Sequence, residues 1–181
     1  NDDSIYPINT TTIAGRDNGV DLGKSDTRFK DLYLSGGVYL GGTGSANKLD
    51  DYEEGTWVPT IYGETTAGTQ SYTVREGLYT KVGRLVVASG VVELTSTGHA
   101  GNLIVGNFPF NMISDSANTA VSTFQVNQGI SFTSGYSPAF IRAGGNQLRV
   151  RASNPSGGNR QEVAMSSDID YFRFNITYFT D

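Results

Sequence analysis

The segment from Asp21 to Trp57 constrains the fold of this chain most, because its apolar residues come in groups too short to build a core. The triplets at 32–34 (Leu-Tyr-Leu) and 38–40 (Val-Tyr-Leu) are separated by glycine and small polar residues. Each triplet has strand propensity but is shorter than an ordinary strand. About fifty residues with so few large apolar side chains cannot enclose a core as a monomer, whereas several copies can enclose one together. Residues 1–51 are therefore predicted to form a short interwoven oligomer stalk.

The composition of the whole chain is typical of an all-β protein. Its 181 residues include 23 Gly, 10 Tyr and 9 Phe, and aromatic residues between frequent glycine turns favour strands. No long window places apolar residues at helical spacing. The length allows one ordinary domain with an appendage, so residues 52–181 are predicted to form a head domain.

Charge and cysteine content exclude several functional classes. With 18 acidic residues against 13 basic ones, the chain lacks the concentrated basic surface that nucleic-acid binding requires. The absence of cysteine excludes disulfides, thiolate metal sites and cysteine nucleophiles. No run approaches the roughly 20 apolar residues of a membrane helix, so membrane insertion is not expected.

The head is predicted to be a jelly-roll-like antiparallel β-sandwich. The run from Leu85 to Leu94 is apolar on both faces, which favours burial under a second sheet on one side and a neighbouring subunit on the other. The C-terminal stretch from Ile169 to Phe179 is strand-like, and residues 171–178 within it alternate cleanly. Its predicted inward residues are Phe172, Phe174, Ile176 and Tyr178, and its outward residues are Tyr171, Arg173, Asn175 and Thr177.

A hairpin between residues 139 and 152 supplies the candidate binding surface. A two-residue turn at Gly144-Gly145 would place Arg142 opposite Gln147 and Phe140 opposite Arg149. One face of the hairpin would then be apolar and the other rich in arginine, a residue that binds carboxylate and phosphate groups through its planar fork. The predicted ligand-binding residues are Phe140, Arg142, Arg149 and Arg151, with Tyr136, Asn154 and Asn159 in adjacent loops. Alternatively, this face is an outward surface kept soluble by its charge, or it pairs with carboxylates of the next subunit.

Three sequence blocks resemble the C-terminal shaft-to-head region of tail fibres and tail-associated structural proteins of tailed bacteriophages. The blocks are DLGKSDTRFKDLYLSGGVYLGG, LDDYEEGTWVPT and YTKVGRLVVASGVV, and the likeness is densest between Asp21 and Leu94. The resemblance implies a homotrimer, a location in the virion and a role in attachment to the host surface. Beyond Leu94 it extends only to short strands and glycine-rich loops.

No catalytic or metal site is predicted. The single histidine, His99, lies in the loop-like stretch 96–101, and no G-x-S-x-G turn introduces a serine nucleophile. Three copies of His99 could still meet around an ion on a trimer axis. Asp168 and Asp170 are a carboxylate pair of the kind that glycosidases use, but they are also typical of an exposed strand start. The carboxylates between Asp50 and Glu54 suit a solvated linker or a calcium site.

The predicted function is non-enzymatic host attachment by an extracellular tail-fibre tip, with no cofactor. Several weak glycan sites on one rigid homotrimer would combine into firm binding to a bacterial cell-surface receptor. Two alternatives stay open: a trimerisation cap or tail decoration without a host ligand, and a polysaccharide hydrolase acting through Asp168 or Asp170.

Overall fold

The computed structural model describes residues 5, 7–113, 121–125, 130, 137–153 and 161–180. The chain divides into two compact units, Asn1–Gly36 and Gly37–Asp181. The predicted 1–51 stalk comprises the first unit together with the start of the second. No helix in the described part of the chain is both long and apolar enough to cross a membrane.

The described residues of the first unit form turns and one isolated bridge, between Ile8 and Gly15, but no strand. Apolar side chains in this unit are more than half exposed in the single chain, namely those of Ile13, Val20, Leu22, Phe29, Leu32, Tyr33 and Leu34. The described residues of this unit therefore form no core of their own.

The second unit confirms the all-β prediction and consists of antiparallel strands. A small hairpin pairs β1 (Val38–Tyr39) with β2 (Lys48–Leu49). The long sheet has the order β3-β5-β6-β12-β8, with β3 at Tyr52–Trp57, β5 at Thr69–Val82, β6 at Leu85–Thr97, β8 at Val121–Gln125 and β12 at Asp168–Phe179.

The short sheet has the order β11-β10-β7-β4, and β9 also pairs with β10. Its strands are β4 (Thr60–Gly63), β7 (Leu103–Gly106), β9 (Ser137–Gly144), β10 (Gln147–Ser153) and β11 (Gln161–Glu162).

The hydrophobic core lies between the inner faces of the two sheets, as a sandwich requires. The long sheet contributes Val86, Val92 and Leu94 from β6 and Phe172, Phe174, Ile176 and Tyr178 from β12, while the short sheet contributes Ile61, Val105, Leu148 and Val150. Trp57 is buried here and stacks on Phe108 at 4.8 Å between ring centroids. The alternation predicted for the C-terminal strand is confirmed.

The sequence prediction for the run in β6 is confirmed on one face, which is buried against the short sheet. Leu85 and Val87 lie on the outer face of the long sheet and are uncovered in the single chain. Cover from a neighbouring subunit on that face stays a prediction.

The register of the β9–β10 hairpin differs from the prediction. The turn lies at Gly145-Asn146, and an irregularity between Gln147 and Leu148 shifts the pairing by one residue. Arg142 therefore lies opposite Leu148, and Phe140 opposite Val150. A one-residue slip exchanges the two faces of a strand. Phe140 and Arg142 therefore occupy register positions on one face of the hairpin, and Arg149 and Arg151 occupy positions on the other.

Candidate functional site

The arginines of β10 have neighbours within their own chain. Arg149 is half-buried, and its guanidinium forms an ion pair with Glu64, which lies just after β4. Arg151 is also half-buried. Arg149 thus pairs with a carboxylate of its own chain, and pairing of this face with carboxylates of the next subunit stays a prediction. Tyr136, Asn154 and Asn159 lie outside the described residues, so ligand binding at this hairpin stays a prediction.

A different surface, on the outer face of the long sheet, forms a groove of about 600 Å³. We call it the outer groove. It crosses β5, β6, β12 and β8, and its outward side chains come from Glu76, Leu78, Ser89, Val91, Thr123, Gln125, Arg173 and Asn175.

Strand register arranges these side chains in two parallel rows. Directly opposed residues of an antiparallel pair lie side by side on one face. One row runs Leu78, Ser89, Asn175, Thr123, and the next runs Glu76, Val91, Arg173, Gln125. Each row thus has a short or β-branched side chain on β6 and longer ones on the flanking strands, which produces a shallow trough with a polar rim.

The floor of the outer groove is backed by rigid aromatic packing. Gly77 and Gly90 are opposite each other on the inner face of the sheet. A Cβ at Gly77 would lie 2.3 Å from the indole nitrogen of Trp57, and one at Gly90 would lie 2.5 Å from the ring of Phe174. The Trp57 indole N–H also donates a hydrogen bond of 2.9 Å to the carbonyl of Ser89. The rings can approach the sheet this closely only because both positions lack a side chain.

The two charges in the groove are separated by the apolar Val91. Glu76 and Arg173 lie two strands apart, which corresponds to about 9–10 Å between their backbones. Neither forms an ion pair with another side chain in the described part of the chain. The groove therefore offers a carboxylate at one side and a guanidinium at the other.

Tyr171 contacts Arg173, which lines the outer groove. The pairing of β12 with β6 is irregular between Ile169 and Phe172, and Tyr171 has a φ of 46°. Such a left-handed conformation costs a non-glycine residue about 1–3 kcal/mol, and it clusters at functional sites. The guanidinium of Arg173 lies 5.3 Å from the centre of the Tyr171 ring, within the range of a cation–π contact.

The fold is shared with part of a phage tailspike. The crystal structure of the Dettilon tailspike protein matches 71% of this chain with a TM-score of 0.54 and 19% sequence identity. The chain spans 24% of the tailspike chain. No known protein family and no curated protein matches the sequence. At this sequence identity, the structural likeness establishes that the two proteins share a fold.

The carboxylates between Asp50 and Glu54 form contacts within their own chain. Asp51 binds the buried amino group of Lys81, and Glu53 accepts a hydrogen bond from the hydroxyl of Tyr79. Glu54 accepts one from Tyr52 at 2.9 Å, and Asp50 lies 2.8 Å from Lys48. The hydrogen bond that Asp50 accepts from Lys48 lowers the pKa of Asp50, and the hydrogen bond that Tyr79 donates to Glu53 raises the pKa of Tyr79.

The remaining candidates for catalysis are dispersed. His99 lies 3.1 Å from the hydroxyl of Ser96 in the loop after β6. Asp168 is exposed at the start of β12, opposite Thr95, and the side chain of Asp170 lies outside the described residues. Within the described residues, no three His, Cys, Asp or Glu side chains are grouped to hold a metal ion.

Sequence reasoning missed the outer groove. Arg173 and Asn175 were predicted to face outward, but that outward-facing pattern is also typical of an ordinary solvated surface. The groove depends on the pairing of β12 with β6 and β8, which no local pattern encodes.

Proposed function

We propose that this chain is the host-attachment module of a bacteriophage tail protein, and that it binds a bacterial surface polysaccharide without cleaving it. The observation that carries the proposal is the fold shared with the Dettilon tailspike protein. The outer groove supplies a site of suitable chemistry, because its rims carry amide, hydroxyl and charged groups that exchange hydrogen bonds with sugar hydroxyls.

Binding without cleavage is supported by the carboxylate content of the groove. Glycoside hydrolysis uses two carboxyl groups on either side of the scissile bond. Among the described residues that line the groove, Glu76 alone has a carboxylate. A sugar held there meets hydrogen-bonding groups but not an acid–base pair.

Assembly as a homotrimer in the virion would make weak sites effective. Apolar side chains of the first unit, including Leu32 and Tyr33, are exposed in the single chain, so neighbouring copies would gain by covering them. Linked sites bind a repetitive surface about 10²–10⁴-fold more tightly than one site does.

The test uses purified surface polysaccharides from a panel of bacterial strains. We expect the 181-residue chain to bind at least one of them and to release no reducing ends. Asn175→Ala, within the groove, should weaken binding about fivefold through the loss of side-chain hydrogen bonds. Thr177→Ala changes the next outward residue of the same strand, outside the groove, and should leave binding unchanged.

Three outcomes would contradict the proposal. Absence of binding to any strain or polysaccharide, with assembly intact, favours a structural cap. Release of reducing ends that Asp168→Asn or Asp170→Asn abolishes favours a hydrolase. Equal binding by the Asn175 and Thr177 variants places the site elsewhere on the chain.

A further inference from the structure

The arrangement of charge in the outer groove points to a specific class of polysaccharide, and this inference rests on the proposed function. We infer that the groove binds a heteropolysaccharide whose acidic sugar units are separated by neutral ones. Arg173 and Tyr171 bind the acidic unit, and Glu76 excludes a second acidic unit from the adjacent position.

The acidic unit is assigned to the side of the groove formed by β12 and β8. The guanidinium of Arg173 is exposed and offers a planar fork that matches a sugar carboxylate. Its contact with the Tyr171 ring, at 5.3 Å, limits the orientations that the side chain adopts before a ligand arrives. Gln125, directly opposite on β8, adds an amide that binds hydroxyl or N-acyl groups of the same sugar.

The exposed ring of Tyr171 fits a role in sugar binding. Its φ of 46° turns the chain at the irregularity in β12 and leaves the side chain 38% exposed. An aromatic ring exposed beside a cation forms a surface against which the apolar face of a pyranose packs. A strained backbone at this one residue of β12 is the kind of feature that functional sites retain.

The opposite side of the groove selects against negative charge. Glu76 lies on β5, two strands from Arg173, with the apolar Val91 between them. A pyranose unit that reaches from Val91 to Glu76 donates hydroxyl hydrogen bonds to the carboxylate. A carboxylated unit in that position is repelled, because two like charges within a few ångströms oppose each other. Binding therefore requires an acidic unit followed by a neutral one.

The inference is tested by calorimetry, which measures the binding of purified bacterial polysaccharides of known composition to the 181-residue chain. The panel holds neutral polymers, polymers that alternate acidic and neutral units, and polymers of consecutive uronic acids, each acidic polymer also in carboxyl-reduced form. We expect binding to members of the alternating class, lost on carboxyl reduction. Arg173→Gln should weaken it about tenfold, and Tyr171→Ala should weaken it also. Glu76→Gln should gain binding to consecutive uronic acids.

The matched controls remove charges of the same sign from residues that are not part of the sandwich. Lys30→Gln and Asp31→Asn, both in the first unit, should leave affinity and selectivity unchanged. Binding to neutral polymers alone, or binding that survives carboxyl reduction, overturns the inference while the proposed function stands. Failure of Glu76→Gln to broaden selectivity overturns the exclusion role. Binding to no polysaccharide of any class removes both the inference and the proposed function.

Discussion

At the scale of single residues, Tyr171 combines backbone strain with an exposed aromatic ring. Its φ of 46° lies in the left-handed region, which glycine occupies freely and other residues occupy at a cost. Because the neighbouring Phe172 and Ile169 are fully buried, the sandwich core fixes both sides of the irregularity in β12. The strain is therefore imposed by packing on either side rather than by the sequence of the turn itself.

Because of this strain, two variants of Tyr171 should have stabilities in the reverse of the usual order. Tyr171→Gly should be more stable than Tyr171→Ala by about 1 kcal/mol, because alanine cannot relax at positive φ. In an ordinary strand position the order is reversed, and glycine is the less stable by about 0.5–1 kcal/mol. Urea unfolding of the two variants measures the difference. Equal stability, or a more stable alanine variant, would show that the backbone at this position is not strained.

Tyr178 gives the chain a distinctive response to alkaline pH. Burial raises its pKa above the ordinary value of 10.0, and its hydroxyl accepts a hydrogen bond from the Phe110 N–H at 3.4 Å. The unfolded chain ionises this tyrosine above about pH 10, while the folded chain keeps it neutral. Its contribution to stability is therefore complete below pH 10 and falls as the pH rises beyond it, by about 1.4 kcal/mol per unit.

The variant Tyr178→Phe should separate the two effects. At neutral pH it should lose about 1 kcal/mol, the usual contribution of one hydrogen bond. Above pH 10 its free energy of unfolding should decline less steeply than that of the unmodified chain. Chemical unfolding at a series of pH values gives both quantities, and parallel pH profiles would show that Tyr178 ionises freely in the fold.

At the scale of secondary-structure elements, the groove depends on a close approach between the long sheet and the rings beneath it. Gly77 of β5 faces Gly90 of β6, and the side chains of Trp57 and Phe174 fill the space that two Cβ atoms would occupy. The inner packing of the sandwich and the shape of its outer face are therefore set by the same pair of residues.

Gly77→Ala should disturb both properties. The new methyl group displaces the indole of Trp57 and weakens its hydrogen bond to Ser89, at an expected cost of about 1–3 kcal/mol. Because Ser89 forms part of the groove floor, polysaccharide affinity should fall as well. Gly36→Ala is the control, since a Cβ there has no heavy atom within 4 Å. A Gly77→Ala variant as stable as the Gly36→Ala variant would show that the indole can move without loss.

At the scale of the whole molecule, the two units differ in how much of their apolar surface they bury. The sandwich encloses a continuous core from both sheets. The described part of the first unit exposes most of its large apolar side chains. This contrast is the physical basis for expecting an assembly of copies, and it places the contacts among residues that contribute nothing to the sandwich core.

Assembly is testable without disturbing the sandwich. We expect the 181-residue chain to sediment as a trimer. We expect Leu32→Asp combined with Leu34→Asp to dissociate it, because a buried unpaired charge is costly in an interface. The dissociated chain should keep its affinity for a short oligosaccharide but lose about 10²–10⁴-fold on whole cells. Ser35→Asp, an adjacent polar position, is the control. A monomeric unmodified chain would contradict the expectation.

The sequence by itself determined the class of fold and much of the core. Strict alternation in the last strand identified its buried side chains, and aromatic, β-branched and glycine content predicted an all-β chain. Such patterns work because the side chains of a strand alternate between two faces.

Only the tertiary structure decided which strands are neighbours and in what register. The pairing of Glu64 with Arg149 and the rows of the outer groove join residues far apart in sequence. The slip of one residue in the β9–β10 hairpin is local, but alternation does not encode the irregularity that causes it. A period of two residues states which face a side chain occupies, but not what lies beside it on the next strand. Because the outer groove consists of such cross-strand neighbours, its position follows from the pairing of the strands and not from any local pattern.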